Sequence, residues 1–252
     1  MRLPQHFFQT LSYISLCVAY SLYGSEKESS RILSVSYASG SCFLQPLSRT
    51  ELPPRKLSLS KQINEERPFA LGTSRDSLLE IKSSDESGFS FIRIGNESAL
   101  ELQDHHQLLH KGAILFSHRH TKFWKFIILD SLTEMRGRGT WMMERLSSGL
   151  KVILLEGKLS IGNSIQKQEL SSGELVIISS ANPKGTKPIK VDLPLLLGTS
   201  RLINGFPTTL PSNSRLFSAA QVQALKLKKK YDALVGDVTE EKKLQLWTVP
   251  KK

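Results

Sequence analysis

Cysteine is nearly absent: Cys17 and Cys42 are the two in 252 residues, too few for a disulfide framework or a thiolate zinc ribbon. Long apolar runs are missing as well. The longest, residues 11–23, is too short to span about 30 Å of hydrocarbon comfortably. Acidic residues are in deficit, 23 against 34 Lys plus Arg, so the net charge of +11 favours anionic partners. Aromatics make up only 8%. Phe and Trp sit in apolar runs that read as core instead of interleaving with basic residues, which argues against specific nucleic-acid binding. Missing too are a Gly-x-Ser-x-Gly elbow, a His-Glu-x-x-His pair and a phosphate loop, so no catalytic residue is assigned, no cofactor is implied and the chain is not expected to be an enzyme. Gly and Pro, 16 and 11 residues, follow no period, which excludes a collagen-like chain. What is present, 39% hydrophobic residues over this length, suffices for one sizeable core.

The N-terminus carries an export pattern. Arg2 is followed by no charged residue until Glu26, and a short apolar run with Ala19-Tyr20-Ser21 and Gly24 as end points has the form of a signal peptide over residues 1–24. Leu16 before Cys17 does not fit a lipid-attachment box. A periplasmic or secreted location follows as the expectation. Cleavage would leave Cys42 as a lone thiol beside Phe43, read as a small buried apolar residue.

From residue 32 to 180 the dominant pattern is short apolar runs, alternating or unbroken, cut by Gly, Asn or Ser about every 8 to 12 residues. Strands are predicted at residues 32–37, 41–44, 77–81, 89–94, 100–102, 113–117, 123–129, 141–144, 152–155, 158–161 and 175–178. The alternation changes phase between Phe91 and Ile92, as at a bulge or where both faces are buried. Gly95, Gly139, Gly157 and Gly173 are the expected structural turns, with Glu156-Gly157 as a corner between two strands. Residues 48–66, with Pro53-Pro54, read as a long exposed loop or edge excursion. The fold class is therefore all-β, an irregular β-solenoid-like or stacked β body. Leu71-Gly72-Thr73-Ser74-Arg75 recurs as Leu197-Gly198-Thr199-Ser200-Arg201 with dissimilar flanks, so no repeat architecture follows.

Beyond residue 180 the prolines at 183, 188, 194, 207 and 211 predict an extended segment over residues 181–217. A C-terminal amphipathic helix is predicted over residues 218–236, with Ser218 and Gln221 as a capping box, Gly236 after its end, and a stripe of Ala220, Ala224, Leu227, Tyr231, Leu234 and Val235. Residues 237–252 form a basic tail. Lys226, Lys228, Lys229 and Lys230 are candidates for contact with an anionic partner.

Four blocks in order resemble the FecR domain, the periplasmic module of iron-dicitrate-type sensors. Phe91-Ile92-Arg93-Ile94-Gly95-Asn96-Glu97-Ser98-Ala99-Leu100-Glu101-Leu102 is similar to its strand, glycine turn and strand unit. Lys111-Gly112-Ala113-Ile114-Leu115-Phe116-Ser117 resembles the strand that follows, and Arg138-Gly139-Thr140-Trp141 the Arg-Gly-Thr-aromatic block. Val152-Ile153-Leu154-Leu155-Glu156-Gly157-Lys158-Leu159, then Leu170-Ser171-Ser172-Gly173-Glu174, resemble its last strands. The resemblance covers residues 32–180 and implies a β-solenoid-like, non-catalytic recognition or scaffold module, whose partner would be an envelope protein or anionic envelope polymer. Family sensors carry an anti-sigma segment of tens of residues before their membrane helix. Only about ten residues precede the apolar run here, so direct sigma-factor contact is not expected, although a role as a signalling accessory stays open.

The densest cluster of metal-ligating side chains is His105, His106, His110, His118 and His120, with Asp104 adjacent. Residues two apart on a strand share a face, so His118 and His120 could offer two nitrogen ligands, the basis of an alternative reading as a metal-binding protein or hydrolase. Ser117, His118 and Asp130 are the residue types of a nucleophilic triad, without its supporting loop. Gly137-Arg138-Gly139 reads as a β-turn, and Asn96-Glu97-Ser98 is a formal glycosylation sequon.

Overall fold

A computed structural model describes residues 32–48, 51–63, 68–85, 88–103, 107–118, 124–128, 133–163 and 166–227. The expected signal peptide, the basic tail and residues 228–236 of the predicted helix lie outside these. Among the described residues eleven strands form one antiparallel sheet. In spatial order they are β4 (Gln62–Ile63), β1 (Ile32–Ser39), β6 (Leu78–Asp85), β7 (Gly88–Ile94), β10 (Ala113–His118), β12 (Thr133–Leu146), β13 (Gly149–Gly162), β15 (Glu174–Ile178) and β16 (Ile189–Lys190). Off this path, β11 (Trp124–Ile128) pairs with the first part of β12 and β14 (Lys167–Leu170) with the last part of β13. A second antiparallel sheet runs β3 (Arg55–Lys56), β2 (Cys42–Pro46), β5 (Phe69–Thr73), β8 (Ala99–Leu102) and β9 (Gln107–Lys111). The molecule is thus a stacked β body built from antiparallel pairs.

Period two sorts each strand of the large sheet onto two faces. On β10, Ile114 and Phe116 join a core shared with Leu44, Phe69, Leu71, Leu100 and Leu102 of the smaller sheet, while Leu115 joins a second core on the opposite face. That second core is closed by α1 (Leu193–Thr199), α2 (Arg201–Asn204) and α3 (Asn213–Leu227) through Leu193, Leu197, Leu202, Leu216 and Ala220. Both faces of β10 are therefore apolar, as a central strand between two layers requires. The same burial on both sides explains the phase change at Phe91 and Ile92, for β7 keeps register with both neighbours.

Glu156-Gly157 departs from the expected corner. Residues 149–162 are one strand, β13, paired along its length with β12. The register runs Thr140↔Glu156 and then Trp141↔Leu154, so Leu155 is the extra residue of a bulge. Leu150, Val152 and Leu154 face the inter-sheet core before it, Leu159 and Ile161 after it. A shift from even to odd positions reads in sequence as two strands; the bulge lets one strand do both. Gly139 and Gly157 face each other beside it, at φ +135° and +103°. They are mid-strand positions instead of turns. A Cβ on Gly139 would lie 2.1 Å from the Glu156 carbonyl oxygen, and one on Gly157 2.2 Å from that of Arg138.

The other two glycines divide. Gly173 sits in the β14–β15 turn at φ +77°, as expected. Gly95 does not have positive φ; in its turn Glu97 takes that conformation, at φ 48°, while the Gly95 N–H donates to Ala113 O at 2.9 Å. Residues 51–63 form the expected edge excursion, which β3 and β4 tie to the two sheets.

The segment predicted as extended over residues 181–217 contains α1 and α2. Pro194 falls in the first turn of α1, where its missing N–H costs nothing, and Asp192 caps the helix by accepting from Leu195 N at 3.0 Å. The last helix starts at Asn213, five residues before the expected Ser218, whose hydroxyl instead donates back to Ser214 O. Its buried face is Leu216, Ala220 and Gln223, and Ala224 is exposed. Tyr231, Leu234 and Val235 of the expected stripe lie outside the described residues.

Candidate functional site

Among the described residues, the outer face of the large sheet, beneath the helices, holds a buried cluster of charged and polar side chains. Glu80 on β6 and Arg93 on β7 are direct cross-strand neighbours that period two points away from the inter-sheet core. In an open sheet both would be solvated. Here residues 201–208 roof them, and each side chain is 1% exposed. Arg93 Nε donates to Glu80 Oε2 at 2.7 Å. Its Nη1 donates to the carbonyls of Leu202 and Ile203 at 3.2 and 2.9 Å, and Nη2 to that of Thr208. Ser36 and Thr208 hydroxyls donate to Glu80 Oε1 at 2.8 and 3.1 Å. Phe206 lies with its ring centre 4.4 Å from the guanidinium carbon. Burial pulls the Arg93 pKa down, and the hydrogen bond and charge of Glu80 push back. An arginine so held stays charged. The pair is a clasp that fastens the roof.

A second polar knot lies at the β12–β13 bulge. Thr140 Oγ1 donates to Glu156 Oε1 at 2.9 Å and lies 2.8 Å from Ser212 Oγ and 3.1 Å from Ser117 Oγ. All four residues are buried. Ser117 and His118, neighbours on β10, consequently serve different partners on opposite faces, since His118 Nδ1 is 2.9 Å from Ser90 Oγ and its ring stacks on Phe116. A Ser117–His118 relay is thereby excluded, and Asp130 lies outside the described residues. Arg138, of the expected Gly137-Arg138-Gly139 turn, is instead inside β12.

Of the clustered histidines, His110 and His118 are among the described residues, and they lie on different sheets. His110 on β9 places Nε2 2.6 Å from Glu101 Oε2 in the smaller sheet, whereas His118 is in the large one. His105, His106 and His120 lie outside the described residues. Among the described residues no three His, Cys, Asp or Glu side chains are grouped to hold an ion. Chelation by EDTA is expected to leave the melting midpoint unchanged within error. A chelator-induced fall in Tm, restored by zinc, would return the histidines to first place.

Cys42 is fully buried, its Sγ 3.4 Å from Leu78 O; burial raises its thiol pKa, which leaves it unreactive as the sequence suggested. Of the lysine candidates, Lys226 is in α3, and Lys228, Lys229 and Lys230 lie outside the described residues.

Among the described residues a groove between α1 and the large sheet, about 330 Å³ in volume, is open to a ligand. Met142, Ile153, Leu175 and Leu196 line it, and its polar edge is the Lys151–Glu144 ion pair, 2.5 Å between Nζ and Oε2. Leu195 stands 47% exposed on its rim. Sequence reasoning missed this groove because it is made by a helix predicted as extended chain. Gln223 seats α3 nearby: its Oε1 accepts from Leu193 N at 2.8 Å and its Nε2 donates to Val191 O at 2.6 Å.

Fold and site together define a two-sheet β scaffold with a helical roof and an apolar groove under that roof. No family model matches the chain, and no curated protein matches it. Among solved structures, one described as a "putative anti-sigma factor" from Parabacteroides distasonis is similar over 46% of this chain at 11% identity, with a TM-score of 0.35. The chain spans 57% of that protein's length. Among the described residues no helix is long and apolar enough to cross a membrane.

Proposed function

We propose that the chain is an exported, non-enzymatic recognition module of the FecR-domain type that binds an envelope protein through the groove beneath α1. The groove carries this reading. It is concave, mostly apolar and bordered by one ion pair, the layout that accepts an apolar anchor side chain from a partner segment and orients its backbone with a few polar contacts. Two buried polar clusters elsewhere are satisfied internally, Arg93 by four acceptors and Thr140 by Glu156 and Ser212. Such networks build a rigid platform instead of waiting for a substrate. Support for the family reading comes from the placement of its blocks. Their central parts fall on β7, β10, β12 and β13, which are consecutive hydrogen-bonded neighbours in the large sheet, while Ala99–Leu102 of the first block is β8 of the smaller sheet and Leu170 to Glu174 spans the β14–β15 turn.

A photo-crosslinking residue at Leu195, on the groove rim, is expected to capture a discrete envelope protein, whereas one at exposed Leu59 is not. Filling the groove with Met142→Trp should abolish the adduct without unfolding the protein. Equal capture at both positions, or capture that survives Met142→Trp, would overturn the assignment. The N-terminal peptide from the same samples reads export, with cleavage expected after Ser21 or Gly24.

A further inference from the structure

The groove beneath α1 carries a local charge opposite to that of the chain. Met142, Ile153 and Leu175 are register partners on β12, β13 and β15, and they make an apolar floor one row wide. The next row sets Glu144 opposite Lys151 and makes the charged border. The wall is α1, with Asp192 at its head and Thr199 at its end.

Among the described residues these three charged side chains line the groove, and they differ in access. Lys151 is 7% exposed, its Nζ 2.5 Å from Glu144 Oε2, whereas Glu144 keeps 33% of its side chain exposed. The pair therefore turns its negative end to solvent. Asp192 is half-buried; Oδ1 accepts from Leu195 N, and Oδ2 has no partner among the described residues. The cations that flank the α1 segment in sequence are already engaged, Lys190 Nζ at 2.5 Å from Glu174 Oε1 and Arg201 Nη1 at 3.9 Å from Asp76 Oδ1.

Resting on the groove as the partner-binding site, we propose that its occupant is a basic segment of the partner, with one aliphatic side chain on the floor and a Lys or Arg to either side reaching Glu144 and Asp192. The chain's net charge of +11 points the other way. That charge acts at long range, however, and is screened beyond about 8 Å at physiological ionic strength, so the two carboxylates decide the contact. An acidic segment would meet Glu144 before it could reach the buried ammonium. At about 330 Å³ the groove is at the small end of ligand cavities, which run from about 300 to 1,000 Å³, so it takes a short anchor. Met142, unbranched and polarizable, adapts to that anchor's shape.

The test is a titration of the full chain, isotope-labelled at its methionine methyl groups, with three peptides of one frame: Gly-Lys-Ser-Leu-Ser-Lys-Gly, and the same with Gln or Glu in place of both lysines. The Lys peptide is expected to move the Met142 methyl resonance and leave that of Met135, in the inter-sheet core, in place. It should bind at least about fivefold tighter than the Gln peptide, with the Glu peptide weakest. Asp192→Asn keeps the helix cap and should bring the Lys peptide toward the Gln peptide. The double variant Glu144→Gln/Lys151→Met should do the same, and it leaves no buried ammonium alone. Equal binding of the three peptides, or an order that survives both variants, overturns the basic occupant and leaves the groove as an apolar site. Preference for the Glu peptide overturns it in favour of an anionic partner. If no peptide moves the Met142 methyl at millimolar concentration, the groove receives no such segment and the two readings fall together.

Discussion

Gly139→Val is expected to remove at least about 4 kcal/mol of stability, enough to leave little or no folded protein at ordinary temperature when a domain has about 5–15 kcal/mol in total. Two independent costs meet at this position. Its φ of +135° is a conformation that a β-branched residue rarely adopts, and its new Cβ would sit 2.1 Å from the Glu156 carbonyl oxygen. The oxygen cannot retreat cheaply, because Glu156 is held in the bulge by Thr140. Gly157→Val should cost as much for the mirrored reason, its Cβ meeting the Arg138 oxygen at 2.2 Å. The control is Gly198→Ala in α1, where a Cβ meets nothing within 4 Å and helix propensity predicts a gain of about 0.5–1 kcal/mol. Chemical unfolding with urea measures all three. A Gly139→Val protein that melts like the parent would show that β12 and β13 need no close backbone approach there.

How far these features can be read from sequence follows the range of the interactions involved. Strand positions such as residues 89–94 and 113–117 are legible because alternation and turn residues are local properties, and they match β7 and β10. The bulge in β13 is half legible: the change of phase is visible around Glu156, but a corner and a bulge leave the same trace. The repeated Leu-Gly-Thr-Ser-Arg shows where local reading stops. Leu71–Thr73 lies in β5 and Leu197–Thr199 in α1, so what surrounds the peptide decides its conformation. For the second copy Asp192 supplies a cap and Pro194 a first-turn residue, signals that outweigh the expectation of an extended chain. Gln107–Lys111, which forms β9, escaped prediction because its mixed polar residues show too little alternation. Of the histidines close in sequence, the two among the described residues, His110 and His118, fall on different sheets. Glu80 and Arg93 were the hardest to see. Period two assigns them to an outward face, and only the distant roof makes that face an interior.

Arg93→Met tests whether that roof is held by charge, and it is expected to cost about 3–5 kcal/mol. Methionine preserves much of the volume, so the loss is chiefly electrostatic. Glu80 would remain 1% exposed with two hydroxyl donors and no cation, and the carbonyls of Leu202, Ile203 and Thr208 would lose their donor. Arg93→Lys is not a mild version of the change. One ammonium cannot reproduce a planar fork that addresses a carboxylate, three carbonyls and the Phe206 ring, so it should fall nearer to methionine than to the parent. Pairing Arg93→Met with Glu80→Leu separates the contribution of the ion pair from the cost of an orphaned charge. If the single variants suffer mainly from the unpaired partner, the double variant should recover part of the loss, with a coupling of about 0.5–3 kcal/mol in urea unfolding. It should not recover the roof, for the three carbonyls still have no donor. Limited proteolysis should therefore cut between residues 201 and 212 faster in the double variant than in the parent, even where the sheets melt at a similar midpoint. Additive losses with no added cleavage would mean that the apolar contacts of Leu202, Phe206 and Leu210 hold the roof without the clasp.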